Sequence, residues 1–194
     1  RRGCEIVPFA ARHAENRPTD AARHFPPAPD VDRPGARDAL RYIFNPAARK
    51  ALDELLGSRS FDVAHLQIYQ GRLTSSILAP LNDHEIPIVQ TLHDFKPICP
   101  AQGLQSGDEY CDACRGRSFC TVLAKRCTQG SIARSGVSML EAYTASRLGM
   151  VEAVDRFIAV CEFQFRKLVE LGIPESAIET LHNFVTSEAV APAT

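Results

Sequence analysis

The sequence contains no apolar run approaching the ~20 residues of a membrane-spanning helix. It has almost no net charge: 22 Lys and Arg against 23 Asp and Glu give a formal −1. Near-neutrality argues against bulk electrostatic capture of nucleic acid, so no nucleic-acid partner is expected. There is no apolar leader at the N-terminus, no internal repeat and no low-complexity tract. There is also no Walker A sequence, no G-x-G-x-x-G turn and no G-x-S-x-G elbow, which leaves phosphoryl transfer and serine hydrolysis without support. What is present is ordinary for a globular protein: 45% apolar and 23% charged residues over 194 positions. That excludes a disordered chain and a repeat fibre. The length suits one domain, with or without appendages, and a core of useful size. The chain opens Arg-Arg-Gly-Cys without Met and closes Ala-Pro-Ala-Thr, so both ends are expected to be cut ends.

Residues 1–46 hold seven of the thirteen prolines. Glu5-Ile-Val-Pro-Phe9 is a strand candidate. The stretch from there to about Pro34 has no periodicity and reads as a long irregular connection, of the kind that is usually functional or mobile. Asn45-Pro46 is an N-cap and first-position pair. Ala51, Leu52, Leu55 and Leu56 then recur at helical spacing, with Gly57 as the stop. Alternating units follow. The pattern predicts strands over 61–66, 87–92, 155–160 and 176–181. It predicts helices over 73–81, 131–148 and 163–171, the last closed by Gly172 and Pro174. Such alternation means an α/β fold: a Rossmann-like parallel sheet flanked by helices, with right-handed crossovers. Ligands of these sheets sit at the carboxyl ends of the strands. Here those ends carry His65–Tyr69, Leu92–Lys96 and Val160–Phe163.

The sharpest local feature is Gln90-Thr-Leu-His-Asp-Phe-Lys-Pro-Ile-Cys-Pro100, an apolar strand running into His93-Asp94. A histidine there can reach a sheet-top cleft to bond a sugar hydroxyl, move a proton or orient a phosphate. The plainer alternative is a turn in which Asp94 bonds backbone and His93 packs. At the neighbouring strand end, Tyr69, Gln70 and Arg72 are candidate acceptor contacts, with Gly71 allowing the turn. The plainer reading is an ordinary strand-to-helix loop.

Of the seven cysteines, five fall between residues 99 and 127. An odd total spread over a chain of this type is not a small secreted disulfide scaffold. The order is Cys99-x11-Cys111-x2-Cys114-x5-Cys120-x6-Cys127. A Cys-x2-Cys knuckle brings two thiolates onto one tetrahedral metal, and structural zinc needs a second pair. Cys99 with Cys127 could supply it, or Cys120 with Cys127. Disulfides and free buried thiols remain as alternatives. Residues 111–135 also carry Arg115, Arg117, Lys125, Arg126 and Arg134 against Asp112 alone. These could face an anionic acceptor, a diphosphate or lipid head groups, or solvate the outer face of an insertion.

Taken together, the segments Phe61-Asp-Val-Ala-His-Leu66, Ile86 to Pro100, Val154-Asp-Arg-Phe-Ile-Ala-Val-Cys-Glu-Phe163, Lys167-Leu-Val-Glu-Leu-Gly-Ile-Pro174 and His182-Asn-Phe-Val185 resemble the N-terminal half of family 4 glycosyltransferases. Arg2-Gly-Cys-Glu-Ile-Val7 is similar to the second strand of that half. The Cys-rich insertion resembles a subset of the family. The resemblance implies the GT-B architecture, in which two Rossmann-like domains face each other across a cleft. It also implies retaining transfer of a sugar, hexosyltransferase-like, from a nucleotide-sugar donor without a catalytic metal.

In this resemblance the N-terminal half holds the acceptor, a glycan or a lipid-linked intermediate of polysaccharide synthesis. His93 matches the histidine that projects toward the donor sugar. Asp94 and Lys96 belong to the same motif as further substrate contacts. Glu162 falls where members have Pro-Ser-Glu or Val-Ser-Glu, but Cys161 replaces the serine. Thr186 stands where members often have Asp. The expected organisation is an acceptor-side domain over 1–186, short of its first strand and glycine-rich loop. It has an insertion at 95–130 and the start of an inter-domain linker at 187–194. A C-terminal donor domain would bind most of the nucleotide-sugar, so the stretch alone is expected to be inactive. The expected location is the cytoplasm, with peripheral contact at the inner face of the membrane. The rival expectation is a non-enzymatic glycan- or protein-binding module with a zinc-stabilised insertion.

Overall fold

A computed structural model of the chain describes residues 3–30 and 34–183. In chain order its elements are α1 (Ala36–Ile43), α2 (Pro46–Ser58), β1 (Ala64–Gln67), α3 (Leu78–Asp83), β2 (Ile88–Leu92), β3 (Gln105–Ser106), β4 (Glu109–Tyr110), α4 (Cys120–Ala124), α5 (Ile132–Arg147), β5 (Arg156–Ala159), α6 (Glu162–Glu170) and β6 (Ile178–Thr180). Four strands form one parallel sheet in the order β1-β2-β5-β6, and β3 and β4 make a separate antiparallel hairpin. The chain is α/β and Rossmann-like, as the alternating pattern predicts.

β2 shows why. Ile88, Gln90 and Leu92 are buried while Val89 and Thr91 are half-buried, the mark of an interior strand covered on both faces. Ile88 and Leu92 join Phe157 and Ala159 of β5 in the main core. Each fully buried large apolar side chain contributes about 1.5–3 kcal/mol. α2 adds Ala48, Leu52, Leu55 and Leu56 from one helical face. Its start is fixed by Asn45, whose Oδ1 accepts the Ala48 amide at 3.2 Å. Gly57 does not stop this helix, which runs to Ser58.

Two other expectations need correction. Residues 5–9 form no strand; Pro8 has no amide to donate to a ladder. Val7 and Phe9 instead pack side-on against the core, and Phe9 meets the Phe25 ring edge-on. The resemblance of this segment to a second strand therefore has no counterpart in the described structure, and Arg2 lies outside it. The helix expected from Leu73 begins as a 3-10 turn at Ser75–Ile77 and becomes α-helical only at Leu78. Thr74 causes the delay: its φ is 62°, and its hydroxyl caps the Ser76 amide. α1 (Ala36–Ile43) follows the expected irregular connection, over residues for which no element was predicted. Residues Phe184–Thr194, which include Thr186 and the expected linker, lie outside the described residues.

Candidate active site

Because β1, β2 and β5 are parallel neighbours, their carboxyl ends share one edge of the sheet. His93 is the first residue beyond β2 and is exposed there. Its Nε2 lies 3.4 Å from Oε1 of Gln67, the last residue of β1. Asp94 makes a turn rather than a free carboxylate, with its Oδ1 accepting the Lys96 amide at 2.8 Å. Glu162 opens α6 beyond β5 and is exposed, on the N-terminal side where a carboxylate is favoured. Arg72 is exposed and Gln70 half-buried in the loop after β1. That loop turns at Gly71, where φ is 80° and a Cβ would come within 2.9 Å of the Tyr42 ring.

Two of the expected substrate contacts lie beneath this edge instead. Tyr69 is 3% exposed, and its hydroxyl, buried beside Ser75 and Gln70, makes no aligned hydrogen bond. Burial pushes its phenol well above the ordinary tyrosine range, and Ser75 offsets part of that. Lys96 is turned inward. Its Nζ stands 2.7 Å from Glu141 Oε2, with both side chains 1% exposed. It also donates to the Pro100 carbonyl at 3.1 Å and faces the Tyr42 ring at 6.0 Å. The contact with Glu141 is charge on charge, because neither carboxylate oxygen gains an aligned hydrogen bond. Burial alone would lower the lysine pKa. The Glu141 charge, helped by Tyr42 and Asp94, outweighs burial and raises it above the ordinary value. In this arrangement Lys96 is a buried partner of α5 rather than a ligand for substrate.

Sequence reasoning missed the residues that hold the edge together. Gln164 is buried in α6; its Nε2 donates to the Asp94 carbonyl at 3.1 Å and its Oε1 accepts the Val160 amide at 2.9 Å. It thus ties the turn after β2 to the end of β5. Asn45 does the same farther along: its Nδ2 donates to the Arg72 carbonyl at 2.8 Å and its amide to Thr74 Oγ1 at 3.1 Å. Glu141 had one local signal, a lone carboxylate among the small residues Ser135, Ser138, Ala142 and Ala145 on the buried face of α5. A cleft of about 640 Å³ opens between α1 and α5, lined by Tyr42, Arg134, Val137 and Ser138 among others.

The cysteine segment folds over the end of α6. Cys99, Leu104 and Leu171 form a small second core there, and Lys167 lies over the Tyr110 ring at 4.7 Å. All seven cysteines are free thiols. Burial pushes the Cys114 thiol up to about 12, with Cys99, Cys127, Cys111 and Cys120 adding to it. Cys99, Cys111, Cys114 and Cys127 line one small cavity, whereas Cys120 is exposed beside Ser118. Among the described residues, no three Cys, His, Asp or Glu side chains stand as a ready-made metal cage. Of the basic residues here, Arg117 is committed to Glu152 and Ser146, and Arg134 to Gln129. No helix among the described residues is long and apolar enough to cross a membrane.

Compared with known proteins, residues 1–189 match the family model described as Glycosyltransferase Family 4. No curated protein and no solved structure matches the chain.

Proposed function

Because the chain belongs to Glycosyltransferase Family 4, and is a glycosyltransferase domain, we propose that it is the acceptor-side half of a GT-B enzyme. The enzyme moves a sugar, with retention, from a nucleotide-sugar to a glycan or lipid-linked acceptor in polysaccharide synthesis. The supporting observation is His93, exposed at the carboxyl edge of the sheet between Gln67 and the start of α6. A neutral or protonated imidazole there can donate to a sugar hydroxyl or to charge that develops during transfer. Gln67, Gln70, Arg72 and Glu162 surround it along the same edge as candidate substrate contacts. The acceptor enters from the cleft between α1 and α5, whose Tyr42 wall abuts Gly71. A second Rossmann-like domain facing this edge supplies most of the donor site. Within this reading no catalytic metal is required, and the protein works in the cytoplasm with peripheral membrane contact.

The test is sugar transfer by the full gene product carrying His93→Ala. Loss of a donor aimed at developing charge costs about 10²–10³ in kcat. A variant that turns over within a few-fold of the parent would remove His93 from the chemistry. Transfer by residues 1–194 alone would refute the two-domain assignment.

A further inference from the structure

The cysteine-rich segment is not used by the proposed transfer, yet it is built around a specific constellation. One cavity of about 10 Å³ is lined by Cys99, Cys111, Cys114 and Cys127, room for about one water or one ion. Its remaining walls mix apolar side chains such as Leu104, Val122 and Leu171 with the polar Gln105, Asp112, Arg115 and Thr121. Each cysteine is set by local backbone bonds. The Cys99 amide donates to the Phe95 carbonyl at 2.7 Å, the Cys111 amide to Leu104 at 2.8 Å, and the Cys127 amide to Val122 at 3.1 Å. Cys111 and Cys114 flank a turn closed by Arg115 donating to Asp112 at 2.9 Å. Positive charge stands at the same place: Lys125 Nζ lies 3.4 Å from Cys111 Sγ, and Arg115 lines the cavity.

The geometry points to a structural zinc site in which Cys99, Cys111, Cys114 and Cys127 are the four ligands. A Cys-x2-Cys turn with two further thiols on one enclosed cavity is the donor set of a closed tetrathiolate centre. On binding, each thiol releases its proton to solvent. The centre becomes doubly negative, and Lys125 and Arg115 offset that charge. Among the described residues no group of three such side chains is placed to hold a metal, so binding must draw the sulfurs in to about 2.3 Å, as at sites coupled to folding. Cys120 stays outside, exposed at the start of α4. The centre would act on the active-site edge mechanically. Cys99 lies in the same turn system as Asp94 and Phe95, so the metal would clip the insertion to the loop after β2.

The chain purified under reducing conditions without chelator is expected to carry about one zinc by elemental analysis. Titration with a mercurial should release it as four thiols react. Cobalt added to metal-stripped protein should give the visible bands of a tetrahedral thiolate centre. Cys114→Ser should lose the metal while Cys120→Ser keeps it. If Cys114→Ser does not fold, the cobalt spectrum and thiol count of the unaltered chain decide the matter alone. A disulfide between any two of the four cysteines would overturn the assignment. So would metal-free reduced protein that takes up no cobalt, or zinc retained by folded Cys114→Ser.

Discussion

Replacing Lys96 by Met tests how the loop after β2 is anchored. The substitution removes the cation held against Glu141, whose side chain is 1% exposed. It also deletes the bond from Nζ to the Pro100 carbonyl. Breaking a buried ion pair from one side leaves an uncompensated charge and costs about 3–5 kcal/mol. That is a large share of the ~5–15 kcal/mol that stabilises a typical domain. Replacing both partners, as Lys96→Met with Glu141→Leu, removes the stranded charge and should recover most of the loss. Urea unfolding followed by circular dichroism measures Lys96→Met, Glu141→Leu and the double variant. A Lys96→Met cost below about 1 kcal/mol, or a double variant that loses as much as the two singles added together, would refute the buried pair. The pH dependence supplies a second reading. The folded Lys96 pKa is raised above the ordinary 10.5, so folding favours the protonated lysine. Its contribution is therefore complete below about pH 10.5 and declines as pH rises toward the higher folded value. Lys96→Met should flatten that alkaline decline.

Two further substitutions probe the same edge. Gln164→Leu strands the Asp94 carbonyl and the Val160 amide that Gln164 now satisfies; the expected cost is about 2–4 kcal/mol by chemical unfolding, and a loss under about 0.5 kcal/mol would refute the strut. Cys161 is the N-cap of α6, extended at φ −161° and ψ 161° but without a side-chain cap bond. Cys161→Ser supplies the missing acceptor and should stabilise by about 1 kcal/mol, raising the thermal midpoint by about 2–4 °C; an unchanged or lowered midpoint would show that the hydroxyl does not reach the α6 amides.

Much of the fold is legible in the sequence because its signals are local. β2 declares itself by apolar alternation, α2 by an Asn-Pro start and four leucine or alanine positions on one face, and α5 by Ser131, whose Oγ caps the Arg134 amide. α1 escapes because it is only eight residues long and buries no residue completely. The Glu5–Phe9 segment misleads for the opposite reason: it has strand-like composition, but no neighbouring strand takes it up. At the active-site edge, the exposed His93 follows from strand position alone. The burial of Lys96 does not, since its partner lies 45 positions away in sequence, at Glu141. The four cysteines around one cavity are half legible. The Cys-x2-Cys turn is a local signal, while the choice of Cys99 over Cys120 as a neighbour is tertiary.

The residues that hold the edge share a purpose that explains why it is built from polar groups. Gln164 binds the Asp94 carbonyl from β5's side, Lys96 reaches down to Glu141 on α5, and Asn45 holds the loop after β1 from the start of α2. Gln164 and Asn45 come from distant parts of the chain and hold backbone carbonyls of the two loops, while Lys96, in the His93 loop itself, is held by a distant buried carboxylate. Apolar packing would hold these loops as firmly but without direction, since burial is proportional to area and indifferent to orientation. Hydrogen bonds and paired charges fix angles as well as distances. A side chain meant to meet a substrate must stay exposed, so it cannot be positioned by its own burial and its backbone must be positioned instead. That is the arrangement around His93: an exposed imidazole on a turn whose carbonyl, following amide and lysine are each committed to a buried or backbone partner. The polar cost is incurred one residue away from the group that needs the freedom.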